Sequence, residues 1–410
     1  MMAQPISPDL TNTGTGLTKY RVTSIDLLRG IVMIIMSLDH VRDYFHLTAN
    51  IDDPLNLATT TPGLYFTRWI THYCAPIFVF LSGTSAYMQR SRKTTKELSL
   101  FLLKRGLWLI FAEFIIIALA WTFNPTYSFI PMQVIWTIGI SMVILAGAVW
   151  LPFNLILALG LLIVFGHNLL DITEAAPGFK PGFFFDLFHS GHFAGYNLFA
   201  NHYAVIVYPF MPWTGVMLVG YCAGKFFSRD VDAGRRKKIL IGLGLSLLAF
   251  FVILRYSNVY GNPSDWSTQK SSFYMLLSFL RVEKYPPSLL YLCMTLGPAL
   301  LFLAFFDNIK NRVTDFCSVF GRTAFFYYIL HLYLIHLLAS ITFFLRGHSF
   351  AEGTAAAGGF PFLFVLPGEG FGLPGVFGVW LLVNLLLYPM CKWYDGYKTR
   401  HKEKWWLSYL

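Results

Sequence analysis

The chain has 410 residues, of which 56% are hydrophobic and 13% charged, with a formal net charge of +10. Soluble domains carry about a quarter charged residues, so the composition excludes an ordinary soluble domain. Unbroken apolar runs such as ILIGLGLSLLAFFVIL (239–254) argue against a transmembrane β-barrel, whose strands alternate. The surplus of Lys and Arg reads as membrane topology rather than nucleic-acid binding, because basic residues stay on the cytoplasmic side of a bilayer.

Residues 1–22 form a polar tail without the apolar core of a signal peptide, so insertion is expected to start from the first span. Ten apolar spans follow, at 25–45, 66–88, 100–123, 130–150, 153–170, 203–226, 239–257, 287–306, 323–345 and 375–394. Pro152, in the turn WLPF, separates the fourth from the fifth. The expected fold is all-α, a polytopic transmembrane helical bundle of about ten spans. Residues 23–398 form one transmembrane domain, and 399–410 form a basic, aromatic cytoplasmic tail at the inner interface. With the N-terminus in the cytoplasm, the inner segments hold 22 basic residues and the outer segments seven, which places both termini inside. The outer segments 46–65, 171–202, 258–286 and 346–374 are long and rich in Gly, Pro and aromatics. They are expected either to wall an outward cavity or to rest as aromatic belts in the headgroups. The five cysteines lie far apart in or beside apolar runs, and read as packing residues rather than disulfides or metal ligands.

The first span carries RGIVMIIMSLDH (29–40). Eleven residues at 100° each make three turns plus about 20°, so Arg29 and His40 project from one face, about 16 Å apart along the axis. Asp26 and Ser37 fall near the same stripe. An arginine at an inner helix end reads equally well as a snorkelling topology anchor paired with Asp26. His40 is flanked by Asp39, Arg42 and Asp43, which suggests a wet, polar site. The second span, running inward from THYCAPIFVFLSG, adds Arg68 and His72 at i, i+4 on one face. Asp39, His40, His46, Arg68 and His72 are thus expected in one outer layer. In the ninth span, GRTAFFYYILHLYLIH, Arg322 sits at the inner edge with His331 and His336 deeper. Five residues apart, these two histidines suit hydrogen bonds across helices better than joint metal ligation. HSGH (189–192) is a weak metal signal in an outer loop, and no metal is expected. There is no phosphate-binding P-loop, nucleophile elbow, HExxH or Cys–His zinc pattern.

SIDLLRGIVMIIMSLDH, THYCAPIFVFLSG and GRTAFFYYILHLYLIH together resemble the bacterial membrane domain related to the catalytic part of heparan-α-glucosaminide N-acetyltransferase. The spacing of Arg29 and His40 is also similar to that in the wider membrane acyltransferase-3 group, which modifies cell-surface glycans. The resemblance covers about 22–398. It implies an acyl-CoA donor, acetyl-CoA or another, a sugar-type acceptor on the far side, and a histidine at the centre of the reaction. In the lysosomal enzyme's pattern the reactive histidine falls past the helix end, where His46 is the nearest candidate. His40 and His46 therefore compete, with His40 preferred. A covalent acyl-histidine and direct transfer both stay open.

The expected function is an integral inner-membrane acyltransferase moving an acyl group from cytoplasmic acyl-CoA to an amine or hydroxyl outside. His40 is the expected base, with Asp39 orienting it and His46 as its rival. Arg68 and His72 polarise the thioester or position the acceptor. Arg29, Arg68, Arg105 and Arg322 are the expected donor-binding cations, helped by the basic loops 90–105 and 228–238. The bilayer and a glycan acceptor are the expected partners, with no nucleic acid; self-association is left open. The alternative is a transporter of a small anion or glycan precursor using the same buried charges.

Overall fold

The structure is a computed structural model and describes residues 22–199, 201–307, 309–355 and 361–408. The polar segment 1–22, apart from Val22, and the last two residues of the basic tail lie outside these. In chain order the helices are α1 (Thr23–Phe45), α2 (Pro62–Thr71), α3 (Cys74–Gln89), α4 (Thr95–Ala112) and α5 (Ala118–Thr122), then α6 (Val134–Ala148), α7 (Phe153–Gly166), α8 (Leu170–Glu174), α9 (Phe183–Phe188) and α10 (Phe210–Ala223). They continue with α11 (Ala233–Ser257), α12 (Ser272–Leu280), α13 (Leu289–Phe305), α14 (Arg312–Arg322), α15 (Ala324–Leu345), α16 (Phe350–Ala355) and α17 (Leu373–Arg400).

Among the described residues, four helical stretches are long and apolar enough to cross a membrane: 153–174, α11, α15 and α17; α6 and α13 are shorter apolar helices. The stretch 153–174, α11 and α17 each bury only 22% of their apolar window, so most of that surface faces outward, as a lipid-facing helix requires. α1 does the opposite. It packs against α2, α3, α13, α14, α15 and α17 and is the centre of the bundle.

The fold is mostly helical, as expected, and departs from all-α by one small sheet. β1 (Phe129–Met132), β2 (Ala194–Phe199) and β3 (His202–Ile206) form a sheet in the order β1-β3-β2, β1 parallel and β2 antiparallel to β3. Two segments expected to be helical from 130 and from 203 therefore begin as strands. The sheet buries Met132, Ala204 and Ile206 against Trp136, an apolar patch that hydropathy cannot tell from the start of a helix.

Two further departures have local causes. The segment expected as one span over 66–88 breaks between α2 and α3. Pro76 has no N–H, so the carbonyl of His72 lacks its helical partner, and the Tyr291 hydroxyl donates to it instead at 2.7 Å. The segment over 100–123 is interrupted by a π-helical turn, Glu113–Ile117. It sets the buried Glu113 carboxylate under the N-terminus of α6, where it accepts from the backbone N–H of Gln133 (3.2 Å) and of Trp136 (2.9 Å). Those donors would otherwise be orphans of the helix end. All five cysteines are free thiols, as their spacing suggested.

Helix pairs approach closely where glycines face each other. A Cβ on Gly30 of α1 would strike the carbonyl of Cys317, and one on Gly321 of α14 would strike the carbonyl of Asp26. The same reciprocity holds between Gly83 of α3 and Gly220 of α10. Small residues at such crossings let backbones pack at a spacing larger side chains forbid.

Candidate active site

Both residues that define the first span's stripe turn into the bundle. Arg29 contacts Asp26 (3.4 Å), donates to Ser85 Oγ of α3 (3.0 Å) and reaches the carbonyl of Gly321 in α14 (3.5 Å). His40 packs edge-on to Trp121, with ring centroids 4.9 Å apart, and places Nδ1 2.7 Å from Nε2 of His331 in α15. Neither faces outward from the bundle.

The hydrogen-bond chain through His331 orders its protons. His331 Nδ1 lies 3.1 Å from the carbonyl oxygen of Tyr327. A carbonyl only accepts, so in the neutral ring Nδ1 carries the proton and Nε2 the lone pair. His40 Nδ1–H then donates to that lone pair, and His40 Nε2 is left unprotonated. This is the form a general base needs.

Asp39 is next to His40 in sequence, but its carboxylate turns to other partners, since adjacent helical residues point in different directions. Its carboxylate is 2.8 Å from Arg42 and also pairs with Arg68 from α2. The ring of His40 is oriented by His331, whereas Asp39 gathers two guanidinium groups. Arg42 is further paired with Asp43 at 2.7 Å. His72, 1% exposed, packs its ring against Tyr291, and its Nδ1 has no hydrogen-bond partner. The layer expected around Asp39, His40, Arg68 and His72 is therefore assembled as one cluster. His46 is turned away from it: its Nδ1 accepts from the Thr48 N–H (3.2 Å) and meets the Thr48 hydroxyl (3.0 Å), and its backbone pairs with Phe371. Burial, with Arg42 nearby, pushes the His46 imidazole below its ordinary range.

Lys284 was not singled out from the sequence and is the main addition. It is 6% exposed, in the loop between α12 and α13, with its ammonium 4.9 Å from the centroid of the Tyr285 ring. No carboxylate forms an ion pair with it among the described residues, and its charge acts on Asp39, His40 and His72 alike. In the sequence it is one basic residue of an outer loop, with no periodicity to mark it. The cluster thus holds three fixed cations (Arg42, Arg68 and Lys284) against the carboxylates of Asp39 and Asp43. The Lys284 ammonium hydrogen-bonds the Tyr285 side chain and has further N–H donors for an incoming oxygen, while His72 Nδ1 is buried without a partner.

At the other end of α1, Arg322 makes a two-pronged contact with Asp395 of α17, at 2.8 and 2.6 Å. Arg105 lies on α4. His336 sits between the carbonyls of Ala120 (2.9 Å) and Leu363 (2.8 Å), stacked on Phe123, a packing role that matches its sequence reading.

Residues 21–255 match the family model described as heparan-alpha-glucosaminide N-acetyltransferase, catalytic. The chain belongs to this family. It is a membrane protein of acetyltransferase type, which agrees with the resemblance carried by its first two motifs. No curated protein matches the chain. Within the heparan-alpha-glucosaminide N-acetyltransferase match lie α1, Arg68, His72 and Trp121. Lys284 and His331, which complete the cluster, come from the part of the chain beyond it.

Proposed function

We propose that the chain is a multi-pass inner-membrane acyltransferase of about ten spans, both termini cytoplasmic. It moves an acyl group, acetyl by family, from cytoplasmic acyl-CoA to a sugar amine or hydroxyl on the extracytoplasmic side. The observation that carries this reading is the proton order of His40, which leaves Nε2 with a lone pair on a ring that the charges of Lys284, Arg42 and Asp39 all reach. The asymmetry of 22 inner against seven outer basic residues supports the orientation.

In this mechanism Arg29, at the inner end of α1, binds the phosphate or pantetheine end of the donor. Arg105, Arg322 and the basic loops 90–105 and 228–238 add positive potential at the same face. Lys284, Arg68 and His72 surround the thioester carbonyl. His40 Nε2 accepts the proton of the acceptor as its lone pair bonds to the carbonyl carbon. Lys284 and Arg68 stabilise the oxyanion that forms. As the carbon–sulfur bond breaks, imidazolium His40 returns its proton to the leaving thiolate, so the enzyme ends unchanged. His331, held by the Tyr327 carbonyl, keeps His40 in the required tautomer and takes part of the charge it gains. Asp39 fixes Arg68 and Arg42 in place.

The test uses purified full-length protein with labelled acetyl-CoA and an amino-sugar acceptor. His40→Ala should abolish transfer while the chain stays in the membrane fraction. Full activity in that variant removes His40 from the chemistry. A wild-type protein that neither transfers nor hydrolyses the thioester, nor becomes labelled, would favour a transporter instead.

A further inference from the structure

We propose that Asp171, Glu174 and His189 bind one divalent transition-metal cation of zinc type, with His192 closing the site on its solvent side. Asp171 and Glu174 stand three residues apart on α8, on the same face. The chain returns after α9 to set His189 against them. One carboxylate oxygen from each acid and one ring nitrogen of His189 lie within 4.8 Å of one another. His189 Nδ1 is 2.7 Å from Glu174 Oε1, and His192 Nε2 is 3.2 Å from Glu174 Oε2. The His189 side chain is fully buried, whereas that of His192 is 52% exposed, so the site has a fixed floor and an open side.

A second observation points the same way. His167, 3% exposed, brings Nδ1 to 3.4 Å from His189 Nε2, while its own Nε2 is buried without a partner. Three imidazoles thus crowd two carboxylates at one end of the apolar stretch 153–174. A mixed nitrogen and oxygen donor set suits zinc-type cations, and two carboxylates with neutral imidazoles balance a charge of two. Ligand atoms on a tetrahedral zinc sit about 3.4 Å apart, so the Glu174–His189 contact opens by about 0.7 Å as the cation replaces the shared proton. In neutral His189 that proton passes through solvent to Nε2 and is donated to His167 Nδ1, which holds the ring in orientation.

The site is also wired to its surroundings. Asn168 donates to Asp171 Oδ2 (2.7 Å), and its Oδ1 accepts the N–H of Leu289 (2.8 Å), the first residue of α13. The cation would therefore fix the end of α8 to the segment that begins with Lys284.

The experiment uses tag-free, full-length protein in detergent, stripped with chelator, loaded with Zn²⁺ and freed of excess. Retained metal is measured by elemental analysis and unfolding by a thermal shift. The expected result is about one zinc per chain and a melting temperature that rises with zinc. Glu174→Gln and His189→Gln should each weaken zinc binding by at least about tenfold, and His167→Gln by roughly tenfold. Asp171→Asn provides a further ligand variant should one of these lose monodispersity. Wild-type protein that retains no zinc and shows no shift overturns the proposal. So do ligand variants that hold zinc as well as wild type does.

Discussion

Nδ1 of His40 lies 2.7 Å from Nε2 of His331, two residues separated by 291 positions in the chain. This contact decides which nitrogen of His40 is available for chemistry, and it makes His331 a positioning residue rather than a spectator. Replacing His331 with Ala removes the acceptor that fixes the tautomer. General-base catalysis is worth about 10²–10⁴-fold, and a misoriented base forfeits part of it. His331→Ala should therefore lower kcat by roughly tenfold to a hundredfold, with donor binding measured by calorimetry unchanged. A variant with normal kcat would show that His40 does not depend on its partner.

Lys284 has a different signature. Its ammonium has no carboxylate of its own among the described residues and stands ready for an oxygen that gains charge during the reaction. Loss of one such donor costs about a hundredfold or more in kcat, so Lys284→Met should show that loss, with Lys284→Arg recovering part of it. Asp39→Asn probes the other half of the cluster. It leaves Arg42 and Arg68 as buried guanidinium groups without their shared carboxylate, a change worth about 3–5 kcal/mol of stability. Thermal unfolding in detergent should show the drop for Asp39→Asn and little change for Lys284→Met. A stable Asp39→Asn protein would mean the carboxylate does not hold the arginines together.

The cluster was legible from α1 and α2 because helical periodicity sets which side chains share a face. Asp39, His40, Arg68 and His72 could be placed in one layer from spacing alone. Which of them touch could not, because pairing depends on how helices far apart in sequence cross. Hence Asp39 turned out to serve Arg68 and Arg42, and His40 found its partner on α15. Lys284 was hidden for another reason: loop residues carry no periodic signal, and a lysine in a loop looks like any solvated charge. The strands β1 and β3 were hidden because short apolar stretches at the start of a span fit helix and strand equally well. The break before α3 was half visible, since Pro76 announced a disturbed helix without revealing that Tyr291 would take up the freed carbonyl.

His46 is the rival that the family pattern raises. Its side-chain hydrogen bonds are local, to Thr48, so His46→Gln should keep transfer activity within about twofold of wild type, against the 10²–10⁴-fold expected of a lost base. Its protonation offers an independent check. Burial and Arg42 depress its folded-state pKa, so the neutral ring is favoured in the native state. The resulting stability is fully present above the unfolded value of about 6.5 and is lost as pH falls through the lower folded value. The melting temperature of wild type should therefore fall more steeply between pH 7 and pH 5 than that of His46→Gln. Loss of transfer in His46→Gln would move the reactive centre from His40 to the end of α1.

The crossing of α1 and α14 makes the last prediction, because it sets where Arg29 stands. Gly30 and Gly321 each lie where a methyl group would enter the partner's backbone, at the carbonyls of Cys317 and Asp26. Backbone atoms cannot step aside as a flexible side chain can, so Gly30→Ala must part the helices. Overpacking of this kind costs about 1–3 kcal/mol and occasionally more. The separation also pulls Arg29 from the Gly321 carbonyl and shifts Arg322, the residue after Gly321, relative to Asp395. Gly30→Ala should thus lower both the melting temperature and the affinity for donor. The double variant with Gly321→Ala should cost less than the sum, since helices already parted accept the second methyl more easily. Gly242 supplies the control: it lies inside α11 with nothing within 4 Å of its Cβ position. There an alanine meets no neighbour and gains helix propensity, a change of about 0.8–1.0 kcal/mol in favour of the helix. If Gly30→Ala unfolds at the same temperature as Gly242→Ala, the two helices are not in backbone contact, and the position assigned to Arg29 fails with them.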